Sequence, residues 1–274
     1  MPLSGESPPD SSPCEDLKMM TKSFESALKS LLPRFVEHRR EAKQYHTEMR
    51  LAVDKHIRLL GDFVRHKTFI DVGANSGSYL HHLKRHARRV VAFEPIASTA
   101  DRIRRFNPSV EVHTCALSDV SGQLILHVPH LDGAPVLTRC SLNSDANPGF
   151  ETRPQAVEVR RLDEFRIQNV GALKIDVEGH ELRVILGAEE TIASSKPVLL
   201  VEIEERHHPG RSLEIIDRVR RLGYDCYYFD IDDELVDANH FDFRKLQNPA
   251  NLKHPFRDGC GIYINDFVFF PQKH

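Results

Sequence analysis

One short stretch of the sequence, FIDVGANSG at residues 69–77, has residue types suited to holding a ligand. Strand-forming residues precede Asp71, and Gly73 and Gly77 follow it at a spacing that allows a sharp turn into a helix. The free N–H groups at the start of such a helix favour an anionic group, whereas Asp71 favours a cationic one. The stretch therefore predicts a turn that binds a small ligand carrying both kinds of charge.

A second stretch, ALKIDVEGHE at residues 172–181, has residue types suited to proton transfer. Asp176 and Glu178 follow an apolar run, and His180 lies at the expected start of a helix. Two neighbouring carboxylates can raise the pKa of one of them, and a helix N-terminus lowers the pKa of an imidazole. Both effects favour proton acceptance near neutral pH, so we expect a general base among Asp176, Glu178 and His180.

These two stretches lie in an alternation of strand-like and helix-like segments. Strand-forming runs occur at 68–72, 90–93, 110–116, 172–177 and 198–203, and helical patterns occur between them at 78–86, 97–106, 181–193 and 213–222. Such alternation is typical of a doubly wound α/β fold with a mostly parallel sheet, in which ligands bind beyond the carboxyl ends of the strands. Runs at 224–229 and 267–270 bring the predicted sheet to seven strands, the last of them antiparallel.

Three segments interrupt or precede this alternation. Residues 1–15 are rich in Ser and Pro and are predicted to be a disordered tail. Residues 16–66 show an amphipathic helical pattern, which predicts a helical extension that could also mediate a homodimer. Within the remaining domain, 67–274, a β-hairpin-like insertion is expected at about 121–159.

Composition excludes several classes of partner. The formal net charge is −3, which provides no general attraction for nucleic acid. We expect no membrane association and a cytoplasmic protein, because no apolar run approaches the roughly 20 residues that cross a bilayer. The five cysteines form no CxxC pair and the histidines form no converging set, so no metal site is predicted from them.

Three adenine-containing ligands fit a turn after the first strand of such a sheet. The sequence there lacks GxxxxGK[ST], which argues against a nucleoside triphosphate, and lacks GxGxxG, which disfavours NAD without excluding it. S-adenosylmethionine has an ammonium, a sulfonium and a carboxylate but no phosphate, and it suits the turn best. Glu94, after the second strand, could accept hydrogen bonds from both ribose hydroxyls, and Asp119, after the third, from the adenine amino group.

The motifs FIDVGANSG, VVAFEP, CALSD, RLDEF, LKIDVEGHEL and PVLLVEIE, in this order, resemble those of the FkbM-type S-adenosylmethionine methyltransferases over residues 69–204. The resemblance implies a class I methyltransferase sheet, S-adenosylmethionine as donor and S-adenosylhomocysteine as product. It also implies O-methylation of a small-molecule acceptor, typically at a hydroxyl of a sugar or natural product.

Site residues are carried over by position from this resemblance. The predicted cofactor-binding residues are Asp71, Gly73, Ala74, Asn75, Gly77, Glu94, Pro95 and Asp119. Asp176, Glu178 and Glu181 match the acids of the family's fourth-strand motif, whereas His180 stands where small residues are common. A divalent cation near Asp176 and Glu178 is permitted but not required.

Two other functions stay open on the sequence alone. A nicotinamide-dependent oxidoreductase could use the same architecture, although the missing GxGxxG argues against it. A catalytically silent, cofactor-binding scaffold protein could retain the same turn. The cluster of acids at 176–181 argues for an enzyme.

Overall fold

The computed structural model describes residues 39–49, 55–253 and 262–272 of the chain. The chain divides into two compact units, Met1–Leu51 and Ala52–His274. In the first unit the described residues form one helix, α1, over 39–49, in which Tyr45 and Met49 are buried. The predicted tail at 1–15 and the first part of the predicted helical extension lie outside the described residues.

The second unit alternates helices and strands. Its helices are α2 (Lys55–Phe63), α3 (Ser78–Leu83), α4 (Ala97–Phe106), α5 (Glu181–Leu186), α6 (Glu189–Ser195), α7 (Ser212–Arg221), α8 (Phe243–Leu246) and α9 (Ala250–Lys253). Its strands are β1 (Thr68–Val72), β2 (Arg89–Phe93), β3 (Glu111–His113), β4 (Ala116–Leu117), β5 (Gly122–Leu131), β6 (Ala134–Pro135), β7 (Glu151–Arg160), β8 (Val170–Ile175), β9 (Val198–Glu202), β10 (Tyr224–Phe229), β11 (Leu235–Asp237) and β12 (Asp266–Pro271). Among the described helices, none has the length and apolar content that crossing a bilayer requires.

The main sheet has the strand order β11-β10-β12-β9-β8-β1-β2-β3. Strands β3, β2, β1, β8 and β9 are parallel, and β12 pairs antiparallel with both β9 and β10. The predicted mostly parallel sheet with an antiparallel last strand is therefore confirmed. The predicted count of seven was one short, because a turn in which Asp230 accepts the N–H groups of Asp232 and Glu234 adds the short edge strand β11.

The central strands are apolar on both faces because helices cover both. Ile70 of β1 and Leu173 of β8 belong to a core cluster shared with α5, α6 and α7. Phe69 and Ala172, one residue earlier on the same strands, belong to a second cluster shared with α2, α3 and α4. Burial of a large apolar side chain contributes roughly 1.5–3 kcal/mol, so two-sided burial holds these strands firmly in register.

The insertion forms a sheet of its own. Strands β5 and β7 pair antiparallel from Gly122↔Val159 to His130↔Glu151, which confirms the predicted hairpin. β4 joins this second sheet by pairing with β7, so the run at 110–116 is not one strand as predicted. The run divides because β3 pairs with β2 in the main sheet and β4 pairs with the insertion.

The helical pattern at 181–193 also divides, into α5 and α6. The Asp163 carboxylate accepts the N–H groups of Glu190 and Thr191, at 3.2 and 2.9 Å, and the Thr191 hydroxyl at 2.8 Å. These bonds satisfy N–H groups at the start of α6 and give it a separate N-terminus. The apolar spacing continues through the break, which is why the sequence pattern predicted one helix.

Gly171 of β8 provides a test of how α2 packs on the sheet. A Cβ at this position would lie 2.2 Å from the carbonyl oxygen of Phe63, at the end of α2. We expect Gly171→Ala to lower the free energy of unfolding by about 1–3 kcal/mol, because backbone must move to relieve the overlap. Urea denaturation measures this change.

Gly61→Ala is the matched control, because a Cβ there would meet only Leu83 Cδ2 at 4.0 Å. Gly61 lies inside α2, so this variant should be neutral or more stable, by up to about 1 kcal/mol. Equal destabilisation by both variants would contradict the close packing of α2 against β8.

Candidate active site

A cavity lies at the carboxyl ends of β1, β2, β8 and β9, the edge of the sheet where the sequence predicts a ligand. The predicted residues that line it are Gly73, Asn75, Glu94, Pro95, Asp176, Glu178 and His180. The predicted residues Asp71, Ala74, Gly77 and Asp119 lie outside the lining set. The structure therefore brings all three predicted catalytic residues to one cavity with part of the predicted cofactor set.

The turn after β1 packs backbone to backbone against the turn after β8. Gly73 has a φ of +80°, and a Cβ there would lie 1.8 Å from the carbonyl oxygen of Asp176. The N–H groups of Gly73 and Ala74 donate to the carbonyl oxygen of Phe93, at 3.0 and 3.3 Å. Gly77, with a φ of +82°, ends the turn at the start of α3. These contacts fix the floor of the cavity between β1, β2 and β8.

Glu94 forms part of the cavity wall with a carboxylate that backbone groups hold in place. Its Oε2 accepts the N–H of Asn75 and its Oε1 accepts the N–H of Ile96, both at 2.9 Å. Burial raises the pKa of Glu94, against the lowering effect of these two N–H groups. Each carboxylate oxygen can accept a further hydrogen bond, so Glu94 remains available to ligand hydroxyls.

Asp71 acts on the cavity through Lys174. Lys174 is buried, and its Nζ lies 2.9 Å from Asp176 Oδ2 and 3.7 Å from Asp71 Oδ1. The Nζ also lies 5.1 Å from the centroid of the Tyr79 ring. Burial raises the pKa of Asp71 to about 6, although the Lys174 charge acts in the opposite direction. Lys174 thus joins a fully buried acid to a carboxylate that lines the cavity.

A third carboxylate, Glu202 at the end of β9, completes an acid cluster with Asp176 and Glu178. One carboxylate oxygen from each lies within 4.8 Å of the other two. Burial, followed by the charge of Asp176, raises the pKa of Glu202 well above its ordinary value. The pKa of Asp176 is lowered: burial would raise it, but the Lys174 charge and hydrogen bonds from Glu202 and Lys174 prevail. Glu202 therefore keeps its proton to a higher pH than an ordinary glutamate, and Asp176 loses its proton at a lower pH than an ordinary aspartate.

Glu202 was not among the residues predicted from the sequence. It ends the strand in PVLLVEIE, and its signal is a carboxylate at the carboxyl end of a buried strand. The close spacing of Asp176, Glu178 and Glu202 would also suit a divalent cation, with Lys174 supplying part of the compensating positive charge.

Glu178 is held by groups that follow β9 and by the insertion. Its Oε2 lies 2.8 Å from His207 Nε2 and accepts from Arg206 Nη2 at 3.2 Å. Ser141, a fully buried residue of the insertion, donates its hydroxyl to the carbonyl oxygen of Glu178 at 2.5 Å. His208 pairs separately with Glu181, at 2.6 Å. The sequence did not identify Arg206 and His207 as partners of this turn.

His180 connects the cavity to Asp119. His180 Nε2 lies 2.9 Å from Ser118 Oγ, which donates to Asp119 Oδ1 at 3.1 Å. Burial lowers the pKa of His180, which favours the neutral imidazole. Asp119 Oδ2 accepts from Arg183 at 2.6 Å, and although burial raises the pKa of Asp119, the bonds from Arg183 and Ser118 lower it overall. A direct contact between Asp119 and adenine stays a prediction.

The insertion contributes apolar side chains to the lining of the cavity. Leu126, Leu137 and Leu142 line the cavity from this segment, together with Ala116 and Leu117. The lining of the cavity consequently combines apolar side chains with carboxyl groups. Such a surface suits a ligand with a flat apolar part and a polar, positively charged part.

The charged side chains that line the cavity include four acids. Glu94, Asp176, Glu178 and Glu202 line it, and among the described residues neither lysine nor arginine does. Lys174 pairs with Asp176 and Arg206 pairs with Glu178, and these two cations offset part of the negative charge although they do not line the cavity. A ligand with net positive charge would gain electrostatic energy here, and one with phosphate groups would lose it.

Comparison with known proteins relates this cavity to one family. The model of the Methyltransferase FkbM domain matches residues 71–226 of the chain. AMB antimetabolite synthetase AmbE of Pseudomonas aeruginosa is 25% identical over 198 residues, which are 57% of this chain and 9% of that protein. Methyltransferase 1 of Beauveria bassiana is 30% identical over 144 residues, which are 44% of this chain and 58% of that protein. The chain thus aligns with less than two thirds of the length of either relative.

A crystal structure of Methyltransferase FkbM from Methylobacillus flagellatus is similar to this chain with 16% sequence identity and a TM-score of 0.43. The similarity covers 75% of this chain and 44% of the crystallised one.

The buried acid Asp71 predicts a specific pH dependence of stability. Its folded-state pKa is about 6, above the ordinary 3.8, so between these values the folded protein keeps a proton that the unfolded chain has lost. The contribution of Asp71 to the free energy of unfolding should therefore fall as pH rises through this range, by up to about 3 kcal/mol. Urea denaturation of wild type and Asp71→Asn at a series of pH values measures the difference.

The stability of wild type relative to Asp71→Asn should be greatest near the acid end of the series and level off above the folded-state pKa. The exposed Asp232→Asn serves as the control for removing one carboxylate. A difference between wild type and Asp71→Asn that does not vary with pH would contradict the raised pKa.

Proposed function

The chain belongs to the FkbM family of methyltransferases, and from this premise we propose that it transfers a methyl group from S-adenosylmethionine to a hydroxyl of a sugar or natural-product small molecule. The observation that carries the proposal is the charge of the cavity, which four carboxyl groups line and which, among the described residues, neither lysine nor arginine lines. Its position beyond the carboxyl ends of β1 and β2 is where such folds bind adenosyl ligands.

Charge favours this cofactor over a nicotinamide dinucleotide. S-adenosylmethionine has an ammonium and a sulfonium against one carboxylate, so it is a net cation and has no phosphate. The pyrophosphate of NAD would bring two negative charges next to Glu94, Asp176 and Glu178. The absence of GxGxxG in the turn after β1 agrees with this preference.

The residues of the cavity suit the three parts of the cofactor. Glu94 would accept hydrogen bonds from the ribose hydroxyls, and apolar lining side chains such as Leu117 and Leu126 would cover the adenine. The turn at Gly73, which packs directly on Asp176, would hold the amino-acid end. Asp71 would support this end indirectly, because Lys174 links it to Asp176.

The acid cluster would bind and orient the acceptor. The bound cofactor supplies an activated methyl group and its own leaving group, so no covalent bond to the protein is needed. Asp176, Glu178 and Glu202 can accept hydrogen bonds from acceptor hydroxyls, and Asp176, Glu178 or the neutral His180 takes up the proton that the reacting hydroxyl loses. Alignment of reactants can contribute about 7–11 kcal/mol, more than a general base, so positioning is the main role of these residues.

Two measurements test the proposal. Isothermal titration calorimetry with S-adenosylmethionine, S-adenosylhomocysteine and NADH should show binding of the first two only. Incubation with methyl-labelled S-adenosylmethionine and a panel of sugars and hydroxylated natural products should then produce a labelled methyl ether. Binding of NADH alone would support an oxidoreductase, and cofactor binding without transfer to any acceptor would support a non-catalytic scaffold.

Glu94 and Glu178 should differ in their effect on cofactor binding. Glu94→Ala removes the predicted ribose acceptor, and we expect the Kd for S-adenosylhomocysteine to rise roughly ten- to a hundredfold. Glu178→Ala should change this Kd much less, because Glu178 faces the acceptor side and is held by Arg206 and His207. Calorimetry on both variants measures the two values.

Glu94→Gln is the matched control for the loss of the two hydrogen bonds that backbone N–H groups donate to Glu94. The glutamine amide oxygen can still accept one of these two bonds. Equal loss of binding in Glu94→Ala and Glu178→Ala would contradict the division of the cavity into a cofactor side and an acceptor side.

A further inference from the structure

A second concave surface, the basic groove, lies between α2 and the end of α3 with the segment that follows it. Its rim consists of Arg58, Arg65, His82, Arg85 and His86, its floor of Ile57, Gly61 and Leu83, and Asp62 is the one acid that lines it among the described residues. Arg65 precedes β1, and Arg85 and His86 precede β2, so the groove lies at the amino ends of these strands. It is therefore at the edge of the sheet opposite the cavity.

Backbone hydrogen bonds hold together the chain segments that carry part of the groove. The segments before β1 and β2 are joined by an isolated bridge between Arg65 and Ala87 and by a hydrogen bond of 2.9 Å from the Arg88 N–H to the Lys67 carbonyl oxygen. Their basic side chains consequently project from fixed positions. A ligand that binds here would not need to order the loops that carry these side chains.

Positive charge in the groove is largely uncompensated. Arg65 pairs with Asp62 at 3.3 Å, and both side chains are exposed. Arg58 and Arg85 are exposed and make no ion pair or hydrogen bond with any described residue. Burial, and then the charge of Arg85, lower the pKa of Lys84, the next residue along the chain.

The sequence concentrates this charge in a protein that is acidic overall. Residues 81–89 read HHLKRHARR, although the formal net charge of the chain is −3. Arg89 is paired with Glu111 and Lys84 donates to Asn107, so neither of these is available to the groove. Arg85 and His86 remain at the rim, with Arg58 and Arg65 facing them from α2 and the loop after it.

We propose that the basic groove binds a small phosphate monoester. Three guanidinium groups around one depression suit the three terminal oxygens of such a group, because each planar fork can donate two parallel hydrogen bonds. A small ligand is favoured over nucleic acid, because a negative net charge repels an extended polyanion outside the groove. The site is separate from the proposed methyl transfer and does not depend on it.

The proposal is tested by titrating the full-length protein with phenyl phosphate. Binding is monitored through the broadening and the shift of the ³¹P resonance of phenyl phosphate. We expect a Kd on the order of 1 mM. The double variant Arg58→Ala/Arg85→Ala should raise the Kd at least about tenfold, and Arg58→Lys/Arg85→Lys should give an intermediate value, since lysine keeps the charge but lacks the fork. Arg153→Ala/Arg221→Ala, at exposed arginines elsewhere, is the control and should bind as wild type does.

Two results would overturn the proposal. One is an unchanged Kd in Arg58→Ala/Arg85→Ala when circular dichroism shows the variant to be folded. The other is tighter binding of phosphatidylserine vesicles or of a DNA duplex than of phenyl phosphate, lost in the same variant, which would assign the groove to a macromolecular surface. In calorimetry, the double variant should bind S-adenosylhomocysteine with the same Kd as wild type. A negative result for phosphate binding would therefore leave the proposed function untouched, and the reverse also holds.

Discussion

The arrangement of the cavity depends on one buried ammonium group, that of Lys174. This residue lies on β8 directly opposite Asp71 on β1, and its Nζ reaches both Asp71 and Asp176. Burial alone would lower the pKa of Lys174, but the charges of Asp176 and Asp71 raise it, so the group stays protonated. An uncompensated buried charge costs several kcal/mol, which makes the three residues interdependent. The turn that carries Asp176 is thereby attached to the centre of the sheet.

Several acids can lie close together at the cavity because neighbouring cationic side chains offset their negative charge. Lys174 offsets Asp176, and Arg206 is shared between Glu178 and Glu204. Glu202 forms no ion pair with a lysine or arginine of the described residues, and burial and its acidic neighbours raise its pKa. The carboxyl groups of the cavity consequently differ in pKa, and such a set can both accept hydrogen bonds from a ligand and donate them to it.

The small net charge of the chain conceals two surfaces of opposite sign. The cavity at the carboxyl ends of the strands is lined by acids, whereas the groove at their amino ends is rimmed by arginines and histidines. The sheet separates them, so a ligand that is attracted to one is repelled by the other. The insertion contributes leucines to the lining of the acidic cavity, and Ser141 connects the insertion to the turn at Glu178.

The amino-acid sequence was sufficient to predict the α/β alternation, the antiparallel last strand, the hairpin and the edge of the sheet at which the site lies, because these follow from local periodicity and turn chemistry. It also identified Glu94, Asp176, Glu178 and His180, which end strands or begin helices next to the cavity. Tertiary structure alone decided that Glu202, Arg206 and His207 join them, since β9 lies beside β8 only through the strand order of the sheet. It also decided that Asp71 faces Lys174 and does not line the cavity, and that the strand predicted at 110–116 divides between two sheets. These features depend on contacts between residues far apart in the chain, for which local patterns carry no signal.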